Sequence, residues 1–334
     1  MQPFVSVVIP TLDRLDRLTS SVEAAARQDY PKDLYEVVVV DNGPTDSEEQ
    51  FMRLFVGVSE VDVRYVWEPQ LGLHWARNTG AEAARGEVLA YTDDDAEVGP
   101  GWIAALAACF QDPEVGAAGG PIKLRWTSPP PPWAPSLGLY GALDYGGESV
   151  LLSSPRTIHG ANFSVRRSAL YETGGFNADL IGPRIVSDGE TGLCHKLYRA
   201  SWKLAYTPDA VVYHVQDGSL VTMASMKGRF RNHGRFSACR HYKCKPTGRV
   251  GLVAQAARAL ARAGRSKSKS LARRPARTQG YYTEEMLVSQ NLAMAAYFLR
   301  LAGNADFRRM ATREDWLTAT SNSTGTGNSE PGAS

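Results

Sequence analysis

The feature that most constrains the fold is an alternation, over the first hundred residues, of short apolar runs with stretches of helical periodicity. The apolar runs are rich in valine and stop at proline, glycine or acidic residues, as buried strands do. They lie at residues 4–10, 37–40, 61–68 and 87–91. Between the first two runs, Leu15, Leu18, Val22 and Ala26 recur at helical spacing. Strands that are apolar on both faces are typical of sheets covered by helices on both sides, so the sequence predicts an α/β fold with a mostly parallel sheet.

Acidic residues follow two of these runs directly. Asp41 closes the second run, and Asp93, Asp94 and Asp95 stand in a row after the fourth. The carboxyl ends of parallel strands form the edge at which open α/β sheets bind ligands, so we expect these carboxylates at one site. Three adjacent like charges repel one another unless water or a cation screens them. Carboxylate oxygens suit Mg²⁺ or Mn²⁺, and Asp93 and Asp95 could share such an ion. A solvated acidic turn is the alternative.

His214 closes a later predicted strand and could add an imidazole to that site. A single histidine is more often structural, and the spacing alone leaves both interpretations open.

The charges are divided unevenly along the chain. Residues 1–215 hold 17 Lys and Arg against 28 Asp and Glu, whereas residues 216–280 hold 16 against 1. No run is long and apolar enough to span a bilayer, and the first residues lack the features of a signal peptide, so we expect a cytoplasmic protein. The basic segment contains no recognisable nucleic-acid-reading motif, and we expect no nucleic acid partner.

Residues 251–265 of the basic segment have the pattern of an amphipathic helix. Their apolar positions Leu252, Val253, Ala256, Leu260 and Ala263 fall on one side and their arginines nearer the other. An interfacial helix at the anionic inner face of a membrane has this pattern. A helix packed on the acidic part of the chain, residues 1–215, is the alternative, and the sequence does not decide between them.

Residues 128–155 are rich in proline, glycine and aromatic residues and predict a surface loop. Flat aromatic side chains such as Trp133 and Tyr140 could stack on the rings of a ligand. The alternative is a structural flap whose aromatic side chains pack onto the rest of the protein.

Five segments occur here in the order found in a known family: "VSVVIPTLDR", "EVVVVDNGPTD", "GLHWARNTGAEAARGEVLAYTDDDAEV", "GANFSVRRSALYETGGF" and "GETGLCHKLYRASWKLAYTPDAVVYH". The chain thereby resembles the inverting family 2 glycosyltransferases, which have the GT-A fold, over about residues 4–215. The resemblance implies a Rossmann-like GT-A catalytic domain at residues 1–215. A basic helical extension at 216–305 and a flexible tail at 306–334 would follow.

The resemblance also implies roles for individual residues. Pro10 and Thr11 would lie against the nucleotide, Asp41 would accept a hydrogen bond from the base, and Arg77 would help to hold the nucleotide. Asp93 would approach the ribose and the metal, Asp95 would bind the metal directly, and His214 would close over the diphosphate and metal. The segment containing Gly160, Ala161 and Asn162 would lie beneath the acceptor, and Trp133 and Tyr140 could stack on its sugar rings.

The catalytic base departs from the family pattern. Members usually carry Glu-Asp at the start of the helix that follows the Gly-Gly-Phe segment, whereas this chain has "SDGETGL". In this alignment Glu190 takes the place of the aspartate, Gly189 takes that of the glutamate, and Asp188 stands one residue earlier. We expect Glu190 to be the base and keep Asp188 as the alternative.

These expectations describe a metal-dependent glycosyltransferase that moves a sugar, with inversion, from a nucleoside-diphosphate sugar to a hydroxyl group. UDP is the default nucleotide, and the acceptor would be a glycan or a lipid-linked glycan of a bacterial surface or exported polysaccharide. A sugar nucleotidyltransferase is the nearest alternative, but the glycine-rich loop it needs after the first strand is missing from "PTLDRLDRL". The second alternative is a catalytically inactive protein that binds a nucleotide sugar.

Overall fold

The computed structural model describes residues 2–12, 15–55, 60–178 and 188–317. Its strands are β1 (Val5–Thr11), β2 (Tyr35–Asp41), β3 (Asp62–Trp67), β4 (Val88–Tyr91), β5 (Ala96–Val98), β6 (Val115–Gly119), β7 (Ile122–Ser128), β8 (Val150–Leu152), β9 (Phe163–Arg166), β10 (Lys203–Tyr206) and β11 (Val212–Asp217). Its α-helices are α1 (Leu15–Ala26), α2 (Glu48–Phe55), α3 (Leu73–Ala83), α4 (Trp102–Cys109), α5 (Arg167–Glu172), α6 (Gly189–Arg199), α7 (Met223–Cys244), α8 (Arg249–Arg273), α9 (Gln279–Gly303) and α10 (Ala305–Thr312).

The central sheet has eight strands in the order β3-β2-β1-β4-β9-β6-β10-β8. Strands β3, β2, β1 and β4 are parallel, as the apolar runs predict. Successive residues of β1 and β2 point to opposite faces, so Val7 and Val37 pack in one buried cluster and Val8 and Val38 in another. Both faces of the sheet are therefore covered, which is why these strands have no polar alternation.

Strand β9 runs antiparallel between β4 and β6, a reversal that the apolar pattern does not reveal. Tyr91 at the end of β4 pairs with Phe163 at the start of β9. The short 3₁₀ helix Gly160–Asn162, which precedes β9, is therefore brought to the carboxyl edge of the sheet beside the Asp triplet.

A second sheet of three strands, in the order β5-β11-β7, stands beyond that edge. In it His214 pairs with Ala96, the residue that follows the Asp triplet. This pairing places the imidazole next to the acidic residues although 119 positions separate His214 from Asp95.

Helices α7, α8 and α9 form the basic helical extension, and with α10 they enclose a cluster of buried apolar residues. Helices α8 and α9 are antiparallel, since Arg262 contacts Asn291 while Ser270 contacts Glu285. The low-complexity run "GRSKSKSLAR" is part of α8. No helix within the described ranges has the length and apolar character needed to cross a bilayer.

Residues 306–317, which the sequence assigned to a flexible tail, are folded onto the rest of the protein. Most of α10 lies in this stretch, and after it the backbone N–H of Trp316 donates to the Gly174 carbonyl at 2.8 Å. The Trp316 ring meets Trp75 edge to face at 5.5 Å. The part of the predicted tail at 318–334 lies outside the described residues.

Candidate active site

The three consecutive aspartates after β4 have separate surroundings. Asp94 turns inward, where its carboxylate accepts a hydrogen bond from the Thr11 hydroxyl at 2.8 Å and its main-chain oxygen accepts one from Ser21. All three border a cavity of about 660 Å³ at the carboxyl edge of the sheet, but Asp94 is buried, whereas the side chains of Asp93 and Asp95 are 28% and 20% exposed. The triplet is therefore one structural carboxylate between two that are directed towards a site.

Asp93, Asp95 and His214 form a group whose potential ligand atoms all lie within 4.8 Å of one another. The Nδ1–H of His214 donates to the Tyr140 carbonyl at 2.9 Å, so Nε2 of the neutral ring keeps its lone pair. That nitrogen lies 3.0 Å from an oxygen of Asp95. Two carboxylates and an oriented imidazole are a donor set that fits a divalent cation, and the second bond of His214 fixes its ring as metal-binding histidines are fixed.

Asp93 and His214 both have shifted pKa values. Burial raises the pKa of Asp93; the Arg77 guanidinium opposes this shift, Asp95 adds to it, and the net pKa lies above the usual value. For His214, burial lowers the pKa, but the hydrogen bond and charge of Asp95 outweigh this and raise it. A bound cation would relieve the repulsion between the carboxylates and would favour their ionised forms.

Arg77, on α3, is almost completely buried at 1% exposure and connects two parts of the site. One terminal nitrogen lies 3.1 Å from Asp93 and the other lies 3.3 Å from Glu190. Its guanidinium packs over the Phe176 ring, and a Cβ atom at position 160 would lie 2.3 Å from it, so Gly160 provides the space. Arg77 does not line the 660 Å³ cavity, and the prediction that it holds the nucleotide is not tested by this arrangement.

Glu190 and Asp188, the two candidate bases, occupy different environments at the start of α6. Glu190 has a 28% exposed side chain and contacts Arg77 and His74, each at 3.3 Å. Burial works to raise the pKa of Glu190, but Arg77 and then His74 lower it below the usual value, so the group is ionised at neutral pH. The Asp188 side chain is 5% exposed and accepts hydrogen bonds from Lys243 at 2.6 Å and Asn177 at 2.8 Å. Asp188 thus serves to anchor α7 to the catalytic domain.

Gly189 explains why the glutamate of the usual Glu-Asp pair is missing. Its φ of +41° is in the left-handed region, and a Cβ atom there would lie 1.5 Å from Nε2 of His74. The His74 ring therefore occupies the space that a side chain at 189 would need, and it contacts Glu190 from that position.

The 660 Å³ cavity includes five of the predicted residues, namely Pro10, Thr11, Asp93, Asp95 and His214. Asp41 lies below its floor at 2% exposure, and its carboxylate accepts hydrogen bonds from the Gly43 N–H and the Tyr65 hydroxyl. The sequence analysis missed other residues that line the cavity: Leu12, Asn42, Leu71, Leu73, Gln216 and Arg229. The polar turn after β2 could have identified Asn42 as a site residue. Nothing in the sequence distinguished Arg229 from the other Lys and Arg residues of the basic segment, which holds sixteen.

The aromatic residues predicted to bind the acceptor are packed against other parts of the protein. Trp133 stacks on Tyr282 of α9 with ring centroids 4.8 Å apart and an interplanar angle of 10°. Tyr140 is 3% exposed and meets Trp126 edge to face. The loop thereby connects the catalytic domain to the extension, which is the alternative that the sequence left open.

The 3₁₀ helix before β9 is likewise interior. Gly160 and Ala161 are buried, and Asn162 is 0% exposed. The Asn162 side chain accepts from the Trp102 indole and donates to the carbonyls of Pro121 and Ala210. These bonds occupy the side chain, so Asn162 supports the site in this conformation and does not face an acceptor.

A second cavity, of about 630 Å³, lies between the 128–155 loop and α7. Its polar lining comes from His159, Arg229, Asn232 and His233, and Phe236 and Tyr140 supply aromatic surface. Arg229 lines both cavities. Its guanidinium donates to the Leu139 carbonyl and to Gln216, and it thereby forms part of the wall between the two cavities.

Comparison with known proteins gives a consistent picture. The family model described as Glycosyl transferase family 2 matches residues 6–174. Glucosyl-dolichyl phosphate glucuronosyltransferase of Haloferax volcanii is 30% identical over 221 residues, which is 63% of this chain and 68% of that protein. Pre-mycofactocin glycosyltransferase of Mycobacterium tuberculosis is 28% identical over 71% of this chain and 48% of its own length.

Among solved structures, the mannosyltransferase PcManGT from Pyrobaculum calidifontis, in complex with GDP-Man and Mn²⁺, superposes with a TM-score of 0.52. It is 19% identical, and the match covers 97% of this chain and 81% of that one. GalNAc-T7 with UDP, GalNAc and Mn²⁺ superposes with a TM-score of 0.50 at 18% identity, over 74% of this chain and 52% of that one. These similarities show the fold, which is GT-A.

Proposed function

The chain belongs to glycosyl transferase family 2 and is a glycosyltransferase, and we propose that it transfers a sugar from a nucleoside-diphosphate sugar to an acceptor hydroxyl with inversion. The observation that carries this proposal is the placement of Arg77. Its guanidinium stands between Glu190, a candidate base, and Asp93, a member of the candidate cation site. A base on one side and a centre of positive charge on the other are what a single displacement at the anomeric carbon requires.

The donor is assigned to the 660 Å³ cavity. The diphosphate would lie towards Asp93, Asp95 and His214, where a divalent cation fits the donor set. When bound there, Mg²⁺ or Mn²⁺ would supply Lewis-acid stabilisation of the charge on the leaving diphosphate. Leu12, Leu71 and Leu73 are each more than 40% exposed at the same cavity and offer apolar surface to a nucleobase. Both structural neighbours were solved with a nucleotide or nucleotide sugar and Mn²⁺, which supports this assignment.

Glu190 is assigned as the general base. Its carboxylate is ionised at neutral pH because Arg77 and His74 lower its pKa, so it can accept the proton of an acceptor hydroxyl as that oxygen attacks. Arg77 and His74 also fix its orientation. Asp188 is not assigned this role, because Lys243 and Asn177 already occupy its carboxylate.

The acceptor is assigned to the 630 Å³ cavity, which takes the place of the stacking on Trp133 that the sequence suggested. Its residue His159 lies close enough to Glu190 to lower the pKa of that carboxylate. The shared residue Arg229 makes the two cavities adjacent. A glycan, free or lipid-linked, would present a hydroxyl to Glu190 from this side, and synthesis of a surface or exported polysaccharide is the proposed setting.

The test compares two carboxamide variants, Glu190→Gln and Asp188→Asn, in a sugar-transfer assay. A panel of UDP-, GDP- and dTDP-sugars with Mn²⁺ first identifies the donor, with UDP-sugars as the first group. We expect Glu190→Gln to lower kcat by about 10²–10⁴-fold while nucleotide affinity stays within a few-fold, because a general base acts in the transition state. Asp188→Asn should retain most of kcat and lose thermal stability.

Unchanged turnover in Glu190→Gln together with a large loss in Asp188→Asn would reverse the assignment. If the wild-type protein binds nucleotide sugars but transfers none to any acceptor in the panel, and Glu190→Gln is equal to it, the protein would be an inactive binder.

A further inference from the structure

One face of helices α8 and α9 carries apolar side chains that are about half exposed. On α8, the residues against α9 include Leu252, Ala256, Ala259 and Ala263, all buried. Each is followed by an outward residue, and these outward residues are Val253, Ala257, Leu260 and Gly264. Val253 and Leu260 are each about half exposed, and Val250 is 85% exposed. Apart from Leu252, the larger apolar residues of α8 named here therefore face outward, while three alanines make most of the helix contact.

Helix α9 repeats this arrangement. Its buried residues include Asn291, Ala295, Phe298 and Ala302, and the residues that follow them are Leu292, Ala296, Leu299 and Gly303. Leu292 and Leu299 are each about half exposed. In two antiparallel helices that face each other, positions one residue after the contact positions turn to the same side. The eight outward residues of α8 and α9 thus form one surface, called the apolar face here, and none of them is charged.

Basic residues border the apolar face. On α8, Arg258 and Arg265 lie on its outer edge, both exposed, and neither has an ion pair with any described residue. Arg249 is exposed at one end of the helix, and Arg274 and Arg277 are exposed beyond the other. The sequence holds no acidic residue between Asp217 and Glu284. On α9, the carboxylate of Glu285 is buried and is bonded to Lys227 and Lys267.

The geometry points to the headgroup region of an anionic lipid bilayer as the partner of this surface. Half-exposed valine and leucine side chains can enter the headgroup and acyl boundary while the bordering arginines meet lipid phosphates. A second copy of the chain is disfavoured, because pairing two apolar faces would bring two arginine borders together. A nucleic acid would satisfy the arginines but would leave the apolar side chains in contact with phosphate and water. The inference does not depend on the donor or base proposed above.

This surface differs from the amphipathic pattern read from the sequence. Leu252, Ala256 and Ala263, which were grouped with Val253 and Leu260, are turned away from solvent by α9. The alternative, in which the acidic catalytic domain holds the α8 cations, also differs from the structure. The ion pairs found for α8 are with Glu284 and Glu285 of α9.

Vesicle flotation of the full chain tests the inference with three variants. The apolar-face variant carries Val253→Ser, Leu260→Ser and Leu299→Ser; the border variant carries Arg258→Gln and Arg265→Gln; Leu151→Ser removes an equally exposed leucine on the edge strand β8. Vesicles contain phosphatidylcholine with phosphatidylglycerol, or phosphatidylcholine alone. Circular dichroism and thermal unfolding show that each variant is folded.

We expect the wild-type protein and Leu151→Ser to float with phosphatidylglycerol vesicles at low salt and not with pure phosphatidylcholine. The border variant should partition more than tenfold less, at about fivefold per cation. The apolar-face variant should partition onto the vesicles at least tenfold less, because the valine and leucine side chains that would be buried in the bilayer are replaced by serine. Binding should weaken as salt is raised.

Three results would overturn the inference. In the first, the folded wild-type protein fails to float with anionic vesicles. In the second, the wild-type protein floats but the apolar-face variant floats equally well. In the third, light scattering shows that the wild-type protein is a dimer and that the apolar-face variant is a monomer. The last result would assign the surface to a second copy.

Discussion

In the catalytic sheet, Asp93, Asp95 and Glu190 share one arginine and two histidines, whereas in the helical extension Glu284 and Glu285 each meet two cations. The effects on the pKa values of Asp93 and Glu285 are opposite. Burial and Asp95 hold the pKa of Asp93 above its usual value. For Glu285, burial alone would raise the pKa, but hydrogen bonds from Lys227, Lys267 and Ser270 lower it to about 2.

This difference in pKa distinguishes a candidate cation-binding site from a structural ion pair. Glu285 has its positive partners within the protein, and its carboxylate is fully hydrogen-bonded inside a helix bundle. Asp93 and Asp95 keep a mutual repulsion that a divalent cation would remove. Carboxylates that are crowded and open to a cavity therefore indicate function more strongly than carboxylates that are merely buried.

The largest expected effect is the removal of one carboxylate from the candidate cation site. In Asp95→Asn we expect sugar transfer to fall about thousandfold and the Mn²⁺ dependence of UDP binding to disappear, because Asp93 and His214 alone bind a cation weakly. Calorimetric titration of UDP with and without Mn²⁺ measures this. Asp306→Asn, at an exposed position of α10, is the matched control. Equal UDP affinity in all conditions would remove the distinction drawn between the two groups of carboxylates.

The second-largest expected effect concerns the ion pair between Lys243 and Asp188, which joins the helical extension to the catalytic domain. Lys243→Met leaves the Asp188 carboxylate buried without its cation, and we expect a loss of about 3 kcal/mol in the free energy of unfolding. Denaturant unfolding measures it, with the exposed Lys245→Met as control. Adding Asp188→Asn should recover part of the loss, since the uncompensated charge is then gone. A double variant as unstable as the sum of the single variants would show that the two side chains are not coupled.

A smaller effect is expected at Glu285. Its folded pKa of about 2 lies below the usual 4.5, so its stabilisation is fully present above about pH 4.5 and is lost as the pH falls towards 2. Glu285→Gln should cost on the order of 2 kcal/mol at neutral pH, since its lysine partners can return to water. Unfolding curves at neutral pH and near pH 3 should show the difference from wild type shrinking. A difference independent of pH would mean that packing, and not charge, is lost.

The smallest effect concerns the loop that spans the two regions. Trp133→Ala removes the stack on Tyr282. Loss of the stack should lower the free energy of unfolding by about 1 kcal/mol, in addition to the effect of the lost buried area. The acceptor KM should stay within about twofold, and Trp133→Phe should recover stability. If Trp133→Ala instead raises the acceptor KM and leaves the melting temperature unchanged, the ring serves the acceptor, as the sequence first suggested.

Local patterns predicted the parts of the fold that depend on neighbouring residues. The valine-rich runs give β1, β2 and β4, and the Asp triplet falls at the strand end where it was expected. The convergence of Asp93 and Asp95 with His214 came from family resemblance, since the pairing of β11 with β5 joins residues more than a hundred positions apart. The antiparallel direction of β9 could not be read from its sequence, because a strand buried on both faces has the same composition in either direction.

The extension shows the same limit. The helical pattern of residues 251–265 was visible, but which side faces a neighbour depends on where α9 lies. Alanine and leucine are both apolar in a sequence pattern, yet Ala256 and Ala263 make the helix contact whereas Leu260 is left half exposed. The bond between Asp188 and Lys243 escaped prediction for a related reason, since 55 residues separate the two and either charge alone suits solvent.

The His74 ring lies where a side chain at position 189 would stand, so the two positions cannot both carry a large side chain in this arrangement. Inserting the family's glutamate at 189 alone would expel the imidazole from its place and remove a partner of Glu190. Shortening His74 to alanine first would open a void that the new side chain could fill, although a φ of +41° would still disfavour it. Any exchange of catalytic loops between this protein and a relative with Glu-Asp must therefore transplant the start of α3 together with the start of α6.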